Sequence, residues 1–394
     1  MVIPFRSYIE KKGGVQWSEE PEQFPYDALT EILVSPSDDT PVELFDAFFF
    51  VDEMSAESCF DQLYQDALQA GIDFTGYESP TPADLALLIW IQNPELLQRL
   101  HAGQHITKAR KFETFFGKRG GLPDISKETI TALEEALNEF FNLHRKGRGV
   151  RVFVFMRDDG IWFLIRHGLP MKREAAITDQ GESKGVLFRP EIYDVLTFLP
   201  DCGELQIHTS TVGEKKAYCD FIGIHVLGDQ DFFIYNGKTE KFSLKPFTRD
   251  WRKSLICTDI EGIESVTPIE VRFLVDEETS HQETHRANNI FDAFEREKRD
   301  IPETYILNRL SLRVKFKNDS APRIVTLCAP NTAIFERDSD SNSVTSLLKS
   351  RTFTLNPIEE NHDITVQAFN SNVGENRYQT EGSGILAGGH SKRI

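Results

Sequence analysis

The chain has 394 residues but only five cysteines, and no two of them form a Cys-x-x-Cys pair. Cys59, Cys202, Cys219, Cys257 and Cys328 are scattered and odd in number. That pattern excludes a disulfide framework or a zinc ribbon and fits reduced thiols in the cytoplasm. No apolar run approaches the ~20 residues needed to cross a bilayer, so no membrane role is expected. The opening MVIPFRSYIEKKGG lacks a long apolar core with a cleavage site and does not read as a secretory signal. The GxxxxGK[ST] phosphate loop, the GxSxG elbow and a GxGxxG fingerprint opening a βαβ unit are also missing. ATP-driven work, serine hydrolysis and dinucleotide redox chemistry are therefore disfavoured. GKRGG (117–121) has glycines and cations, but in the wrong order for a phosphate loop.

Basic side chains are scarce at the start. Residues 1–100 carry 4 basic and 19 acidic groups, a net of −15 out of −18 for the whole chain. Such a region repels nucleic acid and membrane, and can dock on a basic protein partner. What the chain has in quantity is phenylalanine, with 30 residues. With 40% hydrophobic and 27% charged residues the composition is that of a globular protein whose cores use Phe where others use Leu.

The pattern predicts an α+β protein with an acidic helical domain over 1–105, a central mixed α/β module over 106–250, a β-rich domain over 251–365 and a flexible tail over 366–394. In the first region Ser55, Thr81 and Pro94 mark helix starts and Gly71 a helix end. DISKETITALEEALNEFFNLHRKG is the clearest helix, opening at Ser126 with an apolar stripe from Ile130 to Leu143. Asp158-Asp159-Gly160 signals a hairpin between RGVRVFVFM and IWFLIRHG. IYDVLTFL and ELQIHTS read as further strands, GEKKAYCDFIGIHVLG as a helix and DFFIYNG as a strand. Beyond residue 250, long alternating runs predict more strands, with helices at NIFDAFEREKRD and SNSVTSLLKSR.

The helix–strands–helix–strand order of residues 125–237 resembles the PD-(D/E)xK nuclease superfamily. Asp194 in IYDVLTF matches that family's first acid and Glu204 in GELQIHT its second. Gln206 stands where the family has lysine. The resemblance implies a Mg²⁺ held by Asp194 and Glu204, since Mg²⁺ takes oxygen ligands, activates a water and stabilises charge on phosphate. Gln206 supplies no charge, so Lys215 or Lys216 on the following helix would have to provide the cation. The competing reading is an ordinary sheet with solvated acids, in which Asp201 and Glu204 bracket the Gly203 turn.

Other candidates are thinner. Lys108, Arg110, Lys111, Lys118 and Arg119 surround Phe112, Phe115 and Phe116, as in a nucleic-acid groove; the competing reading has core phenylalanines on a strand with solvated charges. His281 and His285 are four apart but lack the HExxH order and read as a surface loop. His167 and His208 lie near strand ends and can serve as acid or base beside Asp194 and Glu204.

Two function classes follow. The first is a non-enzymatic interaction or regulatory component of a larger assembly, one that handles nucleic acid, docking through the acidic amino-terminal region. The second is a metal-dependent nuclease. A third variant has the acidic region mimic nucleic acid and occupy a partner's binding surface.

Overall fold

The computed structural model describes residues 1–355 apart from 119–122, 158, 234–238, 302, 318, 320, 338 and 339. Residues 1–355 form one compact unit. Among the described residues there are eleven α-helices and a large antiparallel sheet, an α+β architecture. No helix is long and apolar enough to cross a membrane.

The first 108 residues are helical: α1 (Arg6–Gly13), α2 (Tyr26–Val34), α3 (Val42–Glu53), α4 (Phe60–Ala70), α5 (Pro82–Gln92) and α6 (Pro94–Lys108). Local chemistry sets their ends. Thr81 and Asp84 form a reciprocal capping box on α5, Asn93 caps α6 ahead of Pro94, and Gly71 ends α4 with a left-handed φ of 68°. Ser55 does not cap α4 as its position suggests. Its hydroxyl donates back to the Val51 carbonyl, and a short 3₁₀ turn intervenes before Phe60.

The remaining elements are β1 (Lys111–Phe116), α7 (Lys127–Leu143), β2 (Arg151–Arg157), β3 (Gly160–Gly168), β4 (Lys172–Ile177), β5 (Ser183–Phe188), β6 (Glu191–Leu199), β7 (Glu204–His208) and α8 (Val212–Phe221). They continue with α9 (Lys245–Asp250), β8 (Ile263–Asp276), β9 (His281–Arg286), α10 (Ile290–Glu297), β10 (Ile306–Phe316), β11 (Arg323–Cys328), β12 (Thr332–Ile334) and α11 (Ser341–Ser350). Ser126 caps α7, and a π-helical stretch, Ile222–Val226, extends α8. The strand expected at DFFIYNG falls partly outside the described residues; Phe233 makes a single bridge to Gly117.

Ten strands join in the order β2-β3-β6-β7-β1-β12-β11-β10-β8-β9. The boundary expected near residue 250 therefore does not separate two sheets. β1 pairs with β7 on one side and β12 on the other, and stitches the two halves together. The side-chain period of two divides the sheet into two faces. On the first face, Trp162, Leu164, Val195 and Phe112 pack under α6, and Leu310, Leu312, Val314 and Leu327 pack under α9–α11. On the second face, Phe163, Ile165, Leu196 and Leu205 lie beneath α7 and α8. Beyond β1 that second face carries Arg272, Glu270, Arg309, Ser311, Arg313 and Thr326, the residues that alternate with the core positions of β8, β10 and β11. The strands β4 and β5 form a separate exposed hairpin.

Candidate functional site

The geometry of β6 and β7 decides the carboxylate pair. Val195 faces His208 across the ladder and Leu199 faces Glu204. Asp194 shares a face with Leu196 and Phe198, whereas Glu204 shares the opposite face with Leu199, Thr197 and Val195. The two carboxylates thus point to opposite sides of the sheet, five ladder positions apart. The expectation that Asp194 and Glu204 hold one Mg²⁺ is corrected on this ground, because a one-residue change of parity reverses the side a strand residue faces. Glu204 is buried and forms an ion pair with Lys241, whose ammonium also lies 5.6 Å from the Phe116 ring centroid. Gln206 lies on the Glu204 face, away from Asp194. Lys215 pairs with Glu113 of β1, and exposed Lys216 pairs with Asp220 one turn along α8. Neither lysine is paired with Asp194.

Asp194 instead anchors a different cluster on the α7–α8 face. Its Oδ2 lies 3.0 Å from His167 Nε2 of β3, 2.9 Å from the Thr209 hydroxyl and 2.6 Å from the Tyr218 hydroxyl of α8. The same Thr209 hydroxyl lies 2.6 Å from Glu214 Oε2, and Lys146 pairs with Glu214 Oε1. Glu214 reaches this point because Thr211 caps α8 by accepting from the Glu214 amide, fixing the helix start beside the end of β7. The His167 ring stacks on Phe141 of α7 at 4.0 Å. Its Nδ1 donates to the Gly168 carbonyl at 3.0 Å.

Burial governs the electrostatics here. It acts to raise the pKa of Glu214, but the Lys146 ammonium, with Thr209 and Thr211, outweighs it and holds the carboxyl below its ordinary value. The Tyr218 phenol is pushed well above its ordinary value by burial first and the Asp194 carboxylate second, so it remains a donor. His167, Asp194 and Glu214 offer ligand atoms within 4.8 Å of one another, the one such group of three among the described residues. Their side chains are only 0%, 5% and 2% exposed. A polymeric substrate cannot touch them without displacing α8. A cavity of about 490 Å³ lies elsewhere, between Trp251, Phe294, Lys298 and Arg299.

The sequence picked out Asp194 and, beside it, His167. It missed Lys146, Thr209, Glu214 and Tyr218. Glu214 stands three residues after Thr211, where a helix-start pattern explains a glutamate with no further role.

The basic-aromatic strip does not form a groove. Phe112 is buried against Trp162, and Phe115 belongs to the core under α7. Arg110 pairs with Glu336 and Lys118 with Asp229, while Lys108 and Lys111 are exposed; Arg119 lies outside the described residues. His281 and His285 lie on β9 rather than in a loop, and His285 sits against Phe294. The alternation of HQETHR was hidden by its polarity. His208 Nδ1 lies 2.8 Å from the Lys111 carbonyl, on the face away from Asp194. No protein-family model matches the chain, and no curated protein is measurably similar to it.

Proposed function

We propose that the protein is a non-enzymatic component of a larger assembly that binds nucleic acid by its phosphate backbone. The observation that carries this reading is the second face of the sheet beyond β1. Arg272 stands directly across from Arg309 on β10 and Thr284 on β9. Glu270 stands across from Ser311 and Arg286, and Arg313 lies two residues beyond Ser311. Four guanidinium groups thus share one sheet surface. Among the described residues no helix packs on it, and Ile324 (47% exposed) and the Arg286 side chain (72% exposed) reach solvent there.

Buried Glu270 gives this surface order. It accepts from Arg286 Nε at 2.6 Å and from Arg309 Nε at 2.8 Å. Arg286 is held through Nε, and Arg309 through Nε and by Nη1 to the Cys328 sulfur at 3.4 Å, and the planar fork of each guanidinium keeps further N–H donors of the kind that suits phosphate. Among the described residues the face carries no exposed aromatic ring, so base stacking is not its mode, and binding should depend little on sequence. The acidic 1–100 region would orient the chain by repulsion, keeping its helices off the polymer.

Filter binding or fluorescence anisotropy with duplex DNA, duplex RNA and single strands tests this. With about four phosphate contacts, log K should fall with log salt at a slope of about −3 to −4. Arg272→Glu with Arg309→Glu should abolish binding while leaving the far-ultraviolet circular dichroism unchanged. Absence of binding to every polymer at low salt would sink the proposal. So would capture of an acidic protein on the same face with no nucleic-acid affinity.

A further inference from the structure

We infer that His167, Asp194 and Glu214 form a buried structural site for one divalent transition-metal ion. The inference is independent of the nucleic-acid reading, because it concerns the opposite end of the sheet and predicts no activity.

The cluster holds too few hydrogens for its close polar contacts. His167 Nδ1 faces the Gly168 carbonyl and therefore carries a proton. In the neutral ring, Nε2 then presents a lone pair, and it points at Asp194 Oδ2 at 3.0 Å. Two lone pairs in that position repel. A second shortage lies beside it. The Thr209 hydroxyl has one proton but sits 2.9 Å from Asp194 Oδ2 and 2.6 Å from Glu214 Oε2. It can donate to only one of them. Between these four groups there are three close polar contacts and one assured hydrogen. Tyr218 and Lys146 already donate elsewhere in the cluster, to Asp194 Oδ2 and Glu214 Oε1.

The cluster is thus short of two positive charges. Two added protons would supply them, and so would one divalent cation. The cation answers both shortages with a single particle. It converts the Nε2···Oδ2 contact from a repulsion into an edge shared by two ligands. Atoms about 2.1 Å from a common ion are separated by about 3.0 Å when adjacent and about 4.2 Å when opposite. The 3.0 Å contact matches an adjacent pair, and the three ligand atoms lie within 4.8 Å of one another, so the widest pair need close by only a few tenths of an ångström onto an ion.

The rest of the geometry also suits a metal. His167 has its outer nitrogen fixed by a backbone carbonyl, the arrangement that holds a ligand ring in one tautomer. Lys146 engages only the outer oxygen of Glu214 and leaves Oε2 to the shared Thr209 hydroxyl. One imidazole nitrogen with two carboxylates favours Zn²⁺ or Mn²⁺ over Mg²⁺, which prefers oxygen alone. The ligands come from β3, β6 and α8, so the ion would pin the helix to the sheet. Burial of all three assigns it a structural role.

The test uses the full chain, stripped with chelator and then titrated with Zn²⁺, Mn²⁺ or Mg²⁺. Expected are one equivalent of Zn²⁺ or Mn²⁺ per chain by elemental analysis and a rise in Tm of about 4 °C at a hundredfold excess over Kd. Co²⁺ should give a visible absorption band from mixed nitrogen and oxygen ligands. His167→Gln and Asp194→Asn should weaken binding at least about a hundredfold, and His281→Gln, a histidine in the other half, should leave it unchanged. A folded wild-type chain that takes up less than a tenth of an equivalent of either metal overturns the proposal. Uptake unaffected by His167→Gln also overturns it. If the variants fail to fold, the wild-type stoichiometry and the Co²⁺ band decide alone.

Discussion

The two halves of the sheet share one hydrogen-bond ladder but live in different surroundings. From β2 to β1 both faces are covered, one by α6 and the other by α7 and α8. From β12 to β9, among the described residues, helices cover one face only. The doubly covered half had to place polar groups inside, and there they gather on one another: Asp194 with His167, Thr209 and Tyr218, and Glu204 with Lys241. The singly covered half could leave its arginines at the surface. Burial by itself thus separates charge paired inside the fold from charge left at the surface.

The contrast breaks or sharpens under substitution. Phe163, fully buried in the covered half, should be the most costly: Phe163→Ala is expected to lose about 3–5 kcal/mol, read from the denaturant midpoint. Next comes Glu204→Gln, which strands Lys241 and should cost about 3 kcal/mol. Adding Lys241→Met should recover a large part of that, and a double-mutant cycle without coupling would show that the pair does not stabilise the chain. Tyr218→Phe removes one donor from Asp194 and should cost about 1–2 kcal/mol. On the open face, Ile324→Ala should change stability by less than about 1 kcal/mol. A loss as large as that of Phe163→Ala would mean that something covers the face.

The smallest effect concerns pH. The side-chain and backbone hydrogen bonds from Thr81 hold the exposed Asp84 carboxyl below its ordinary pKa. A carboxyl depressed on folding contributes stability that is fully present above about pH 4 and is lost as pH falls through the folded value. Asp84→Asn should therefore flatten the acid limb of the stability profile slightly and leave neutral pH almost untouched. An unchanged acid limb would remove the capping box from the account.

Much of the fold was legible because its signals are local. The Thr81 cap, Pro94, Gly71 and the apolar stripe of α7 each act within one or two turns, and each stands where expected. The site was legible only in part. Asp194 and His167 were singled out, but Asp194 bonds His167, Thr209 and Tyr218, and the acid on its side of the sheet is Glu214 rather than Glu204. The parity of the β6–β7 register decides that, and register depends on pairing rather than on either strand alone. β9 escaped notice because HQETHR is polar on both sides at a sheet edge, where alternation carries no hydrophobic contrast. The arginine face was hidden for a related reason: Arg272, Arg286, Arg309 and Arg313 come from three strands and meet only across the ladder.

The seam between β1 and β12 has a consequence for synthesis of the chain. β1 ends at Phe116, and its partner begins at Thr332. Between the emergence of the two from a ribosome, at about 5–20 residues per second, some 10–40 s would pass. Once β7 has emerged, β1 can bond it on one side, but its other edge stays open to any passing strand until β12 follows. The nascent protein would need protection there, and truncation anywhere before residue 332 would leave that edge permanently exposed.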